Sequence, residues 1–125
     1  MAIIGAHVLL YSPEADALRA VFRDVFRFTH VDAGDGWLIF GLPPAELGIH
    51  PAEGDGPAAV QHALSLMCDD VQATVRELRA RGITIHGEPE DHGYGIVVMA
   101  ELPGGVRLQI YEPRHPLAID VPAGA

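Results

Sequence analysis

The 125-residue chain is long enough for one domain with its own core, and 49% of it is hydrophobic, which sets it apart from disordered sequences. A net charge of −9 without a basic stripe argues against nucleic-acid binding. Its eight cations are all Arg, and the missing lysine excludes Schiff-base chemistry, lysine-anchored pyridoxal phosphate and a Walker A phosphate loop.

Residues 3–11 alternate in the manner of a strand. "SPEADALRAVFRDVF" then reads as a helix. Ser12 can cap it, Pro13 suits its first turn, and Glu14 complements its dipole. Leu18, Val21, Phe22, Val25 and Phe26 fall at helical spacing and form its apolar stripe. Strands near 28–33 and 36–41 flank the turn "DAGDG", and a third spans 45–50. A Gly/Pro-rich connector, "PAEGDGPAA", follows.

The pattern then restarts. Residues 61–67 read as a strand, and Asp69 with Gln72 reads as a capping box. Val71, Val75 and Leu78 give a second helical stripe, which Gly82 stops. Strands follow near 83–87, 94–101 and 106–111, the last after the tight turn "LPGG". The tail "PRHPLAIDVPAGA" is Pro-rich and expected to be only partly ordered. The chain is thus expected to be a single α+β domain over 1–125. It duplicates a βαβββ unit, with module one about 3–54, module two about 60–113 and a tail 114–125. No apolar run reaches membrane length, no signal peptide precedes the first strand, and the lone Cys68 permits no intrachain disulfide. A cytoplasmic location without membrane partners is the expectation.

"AHVLLYSPEADALRAVFRDVFRF" resembles the first strand and helix of the vicinal oxygen chelate superfamily, and "LPGGVRLQIYEP" resembles its last turn and strand. That superfamily includes glyoxalase I, extradiol dioxygenases and bleomycin-binding proteins. "LMCDDVQATVRELRARGI" and "YEPRHP" are similar to a group of short bacterial glyoxalase-like proteins. The resemblance covers residues 3–113. It implies a curved mixed sheet around a cup, with helices on the convex side and metal ligands on the concave side. It also implies a homodimer, since relatives of this length pair two chains.

Period-two alternation tests each position that the resemblance points to. His7 shares the cup-facing phase with Leu9 and Tyr11, and stands at the family's first-ligand position. Glu46, in "AELGIH", matches the carboxylate strand and shares its face with His50. In the second module the repeat places Ala63, not His62, opposite His7; His62 is in phase with Leu64, Leu66 and Cys68, expected to face the helices. Gln109 occupies the second carboxylate's place and brings no charge. Arg107 and Tyr111 share its phase, and Arg107 could clamp an anionic group. His30, His62, His86, His92 and His115 read as loop, surface or partly buried residues.

The expected metal ligands are therefore His7, Glu46 and Gln109, the expected acid–base groups His50 and Glu46, and the expected substrate contacts Arg107, Gln109 and Tyr111. This set falls short of a two-His, one-carboxylate iron site or a four-ligand zinc site. Two function classes follow. One is a small-molecule binder with a degenerate metal site. The other is a lyase or dioxygenase that holds the vicinal oxygens of its substrate on a divalent metal such as Zn, Ni, Fe or Mn.

Overall fold

The computed structural model describes residues 7–49, 51, 54, 56–59 and 61–120. The second half carries the full βαβββ unit: β3 (Ser65–Met67), α2 (Val71–Ala80), β4 (Thr84–Asp91), β5 (Gly95–Leu102) and β6 (Val106–Pro113). The sheet order is β3-β6-β5-β4. β3 runs parallel to β6, and the other pairs are antiparallel. This mixed order follows from the connections: the crossover helix separates β3 from its parallel neighbour, whereas short turns join the antiparallel strands.

Pleat alternation sorts the sheet into two faces. Val98, Ala100 and Leu102 on β5, with Leu108 and Ile110 on β6, are buried in the core. They pack with Val71, Val75 and Leu78 of α2 and with Leu18 and Phe22 of α1 (Ala15–Asp24). The expected helical stripes thus supply the core, with Val21, Val25 and Phe26 half-buried against it. Leu64, Leu66 and Cys68 pack on the same side, as the alternation predicts. Ala100 is completely buried, and its small side chain lets the helices approach the strand.

Asp70, not Asp69, caps α2. Its carboxylate accepts a hydrogen bond from the Ala73 amide at 3.0 Å, and its backbone is extended. The helix starts one residue later than the capping-box spacing implies, because Glu112 at the end of β6 accepts from the Val71 amide at 3.1 Å. A carboxylate from across the sheet thus holds the first helical amide. Gly82 ends the helix with φ 83°, as expected.

The start of α1 is tied to the β5–β6 turn. Ser12 Oγ accepts from the Glu14 amide at 3.1 Å and donates to the Pro103 carbonyl at 2.9 Å. The Glu14 side chain accepts from the Gly104 amide at 2.7 Å rather than capping its own helix. Gly104 has φ 82°, and a Cβ there would lie 1.9 Å from Ser12 Oγ. Positive φ and close approach both require glycine at this position.

After α1, the hairpin of β1 (His30–Asp32) and β2 (Leu38–Phe40) forms a separate two-stranded sheet. Phe22 anchors it, with ring centroids 5.6 Å from Phe28 and 5.8 Å from Phe40. Two expected strands have no ladder over their described residues. Residues 7–11 and 45–49 have no strand pairing, and residues 3–6 and 50 lie outside the described set. Val8 and Leu10, which alternate with His7, Leu9 and Tyr11 and would face the helix in a strand, are exposed, and Leu47 and Ile49 are each 87% exposed. Alternation supplies a face, but a strand also needs a ladder partner for its backbone groups. Among the described residues these segments find none. The tail forms one 3-10 turn, Ala118–Asp120, and its residues 121–125 lie outside the described set.

Phe22→Ala should cost about 3–5 kcal/mol in chemical denaturation, since it empties the centre of the aromatic cluster. Gly104→Ala should cost about 1–3 kcal/mol, because it strains the turn and displaces Ser12. Asp70→Ala should cost about 1 kcal/mol and Asp69→Ala less than about 0.5 kcal/mol; equal costs would contradict the cap assignment.

Candidate functional site

Both helices pack on one side of the four-stranded sheet, so its other face is left to polar side chains. Arg107, Gln109 and Tyr111 alternate with the buried Leu108 and Ile110 and therefore share this open face. Cross-strand register brings Met99 of β5 and Ser65 of β3 alongside Gln109. Ser65 Oγ donates to Gln109 Oε1 at 3.2 Å, and Gln109 Nε2 donates to the Tyr94 hydroxyl at 3.1 Å. The amide is held from both ends. Tyr94 in turn meets Tyr111 edge to face at 5.8 Å and His92 at 6.1 Å.

A second group lies on β4, β5 and β6. His86 Nε2 is 3.1 Å from Glu101 Oε1, and Arg107 Nη2 is 3.7 Å from the same oxygen. Arg107 is thus paired within the chain, and its charge is partly compensated. A hollow of about 260 Å³ opens beside this group, lined among others by His86, Glu90, His92, Val97, Met99 and Gln109. The β4–β5 register shifts between His86 and Glu90 at Gly87, which has φ 72°. This bulge aligns with the hollow's wall.

The expected site residues fall into separate places. Gln109, Tyr111 and Arg107 share the open face. Glu46 of the first module lies near enough to Tyr111 to act on its charge, and its carboxylate accepts a hydrogen bond from the Ala118 amide of the tail. Burial, then the negative charge of Glu46 and the neighbouring Tyr94, raise the Tyr111 hydroxyl above the usual phenol range. His7 is exposed on the unpaired segment, and His50 lies outside the described residues. Three histidines read as loop, surface or partly buried residues have partners here: His86 on Glu101, His92 beside Glu90 at 3.3 Å, and His115, whose Nε2 is 3.4 Å from the Tyr111 hydroxyl. His86 and Glu101 lie 15 residues apart, and a two-residue phase alone does not reveal which strands become neighbours. Burial and nearby carboxylates raise the Cys68 thiol, which fits packing rather than nucleophilic work.

Among the described residues, the expected donors are not assembled as a metal-ligand set. Of His7, Glu46 and Gln109, the carboxylate already holds the tail and the amide already holds Ser65 and Tyr94. Among the described residues, no three His, Cys, Asp or Glu side chains come together as a metal would need.

A model of the Glyoxalase/Bleomycin resistance protein/Dioxygenase superfamily matches residues 5–110. No curated protein matches the chain. The fold is similar to that of lactoylglutathione lyase from Agrobacterium tumefaciens, at TM-score 0.57 and 20% identity over 90% of this chain and 96% of that one. It is also similar to TnmS3, an antibiotic-binding protein from Streptomyces sp. CB03234, at TM-score 0.53 and 17% identity over 90% and 99% of the two chains. A virulence protein from Salmonella typhimurium gives TM-score 0.53 and 19% identity over 90% and 99%.

Ser65→Ala and Tyr94→Phe should each cost about 0.5–1.5 kcal/mol, the usual worth of one such hydrogen bond. Because both bonds orient the same amide, the double variant should depart from additivity by about 0.5 kcal/mol or more. Strict additivity in urea denaturation would show that Gln109 does not link them.

Proposed function

Because the chain belongs to the Glyoxalase/Bleomycin resistance protein/Dioxygenase superfamily, we propose that it binds a small molecule on the open sheet face without a metal. One observation carries this reading: Glu46 and Gln109 both hold the chain's own groups instead of standing free for an ion. Gln109 presents an oriented amide, Tyr94 and Tyr111 supply ring surface, and Met99 and Val97 supply an apolar floor. The ligand would sit over these groups and beside the hollow at His86. Arg107 would sit at the rim, with Glu101 reducing its pull on anions. The similarity to an antibiotic-binding protein supports ligand capture, though it is a likeness of fold alone. The alternative, a divalent-metal-dependent lyase or dioxygenase with His7, Glu46 and Gln109 as ligands and His50 as base, draws support from the superfamily's enzymes.

The binding partner is then a small molecule and neither nucleic acid nor membrane. Among the described residues, no helix is long and apolar enough to cross a membrane. A cytoplasmic setting suits the single Cys68. A second copy is proposed to cover the exposed first module, where Tyr11, Leu47 and Ile49 are each more than four-fifths exposed. Apolar surface of that kind marks an interaction site.

Thermal-shift screening of small aromatic compounds, with and without EDTA, tests the reading. Stabilisation should survive EDTA and disappear in Gln109→Ala. Binding that EDTA abolishes and zinc restores would transfer the assignment to the metalloenzyme. Ala63→His adds an imidazole two residues before Ser65, in the same phase, and should tighten zinc binding about tenfold, or about 1.4 kcal/mol. His62→Ala should leave it unchanged in calorimetric titration. Light scattering at micromolar concentration should give a dimer, and monomer alone would count against the second copy.

A further inference from the structure

The tail makes more contacts with the open face than a loose terminus would. Arg114 leaves β6 with its amide donating to the Tyr94 carbonyl at 2.8 Å, and its guanidinium pairs with Asp91 at 2.8 Å. His115 then lies against Tyr111, with ring centroids 6.1 Å apart. Its Nδ1 is 2.8 Å from the Pro116 carbonyl, which steadies the ring's approach. His115 and Leu117 are both half-buried. Finally the Ala118 amide donates to Glu46, 72 residues away in the first module.

Residues 114 and 118 are thus tied down on different modules. Arg114 is anchored at the β4–β5 turn of the second module, and Ala118 on the 45–49 segment of the first. The segment between them crosses beside Tyr94 and Tyr111, two of the groups proposed to meet the ligand. We propose that residues 114–120 form a strap over the ligand face, with Glu46 as its clasp, and that a ligand enters when the clasp opens. The carboxylate expected to hold a metal instead accepts one backbone amide and keeps the strap shut. The Arg114 end has both a backbone and an ionic anchor, whereas the Ala118 end has the clasp and its 3-10 turn. Opening therefore hinges near Arg114.

This inference rests on the open face being the binding face, and the test separates the two. The probe is the dye 8-anilinonaphthalene-1-sulfonate, followed at the methyl resonances of Met67 and Met99 so that binding to the exposed first module is not counted. Ala118→Pro removes the clasp's N–H, Glu46→Ala removes its acceptor, and Ala118→Ser keeps both. Apparent affinity falls with the fraction of open molecules, so opening the clasp should raise it. Both Ala118→Pro and Glu46→Ala should bind the dye about fivefold more tightly than the parent, about 1 kcal/mol. Ala118→Ser should match the parent. The Ala118 amide should exchange slowly in the parent and fast in Glu46→Ala.

Fast exchange at Ala118 in the parent would overturn the strap itself. Slow exchange with equal dye affinity in every variant would leave a tail that is clasped but gates nothing, which also overturns the proposal. Slow exchange with no response at Met67 and Met99 in any variant would overturn the open face as binding site, and the gate with it. Truncation after Pro113 gives an independent check: it should reproduce the tighter binding of Ala118→Pro.

Discussion

Both helices pack on the same face of one four-stranded sheet, and the rest of the molecule follows from that. Val98, Ala100, Leu102, Leu108 and Ile110 form the floor on which α1 and α2 rest. Burying this floor supplies the main driving force for folding. It also fixes the phase of β5 and β6, because a shift of one residue would turn the apolar row outward. Once the phase is set, Met99, Glu101, Arg107, Gln109 and Tyr111 must face the other way. The polar face is a consequence of the core.

The same constraint explains the difference between the halves. The second module completes its sheet inside the chain. The first contributes its helix to the shared core, but among the described residues its hairpin pairs only with itself. It meets the second module through Leu18 and Phe22 in the core and at the turn where Ser12 and Glu14 grip Pro103 and Gly104. These hydrogen bonds join residues about ninety positions apart in sequence. They orient the first helix, while among the described residues the flanking segments 7–11 and 45–49 have no strand pairing and large apolar side chains remain on the surface.

On the open face, polar groups are combined in ways that limit their chemistry. Glu101 is shared between an imidazole and a guanidinium. Gln109 is pinned by two hydroxyls, and Glu46 by a backbone amide. A group that is already hydrogen-bonded is well oriented but must exchange a partner to take a ligand. Oriented amide and ring surfaces suit recognition of a shaped organic molecule. They suit a hard cation less, because it would need several free oxygens or imidazoles at once.

Much of the fold was legible in the sequence, because periodicity is local. The stripes Leu18–Phe22 and Val71–Val75–Leu78, the alternation of 106–111 and the stops at Gly82 and Gly104 each depend on residues a few positions apart. The phase of Gln109 with Arg107 and Tyr111 was legible for the same reason, as was the phase of Leu64, Leu66 and Cys68. Pairing was not. Residues 7–11 and 45–49 alternate well enough for strands but lack ladder partners among the described residues, and alternation carries no information about a partner. Asp69 had the capping-box spacing, but Glu112, from the far end of the chain, takes the Val71 amide and Asp70 is the cap. The partner of His86 arrives through strand register, 15 residues away, whereas His92 and His115 meet Glu90 and Tyr111 only two and four residues away, where the local bend of the chain decides the contact. By itself the sequence determined which side chains share a face. Only the tertiary structure decided which of them meet, since hydrogen bonds depend on distances that close when distant segments are packed together.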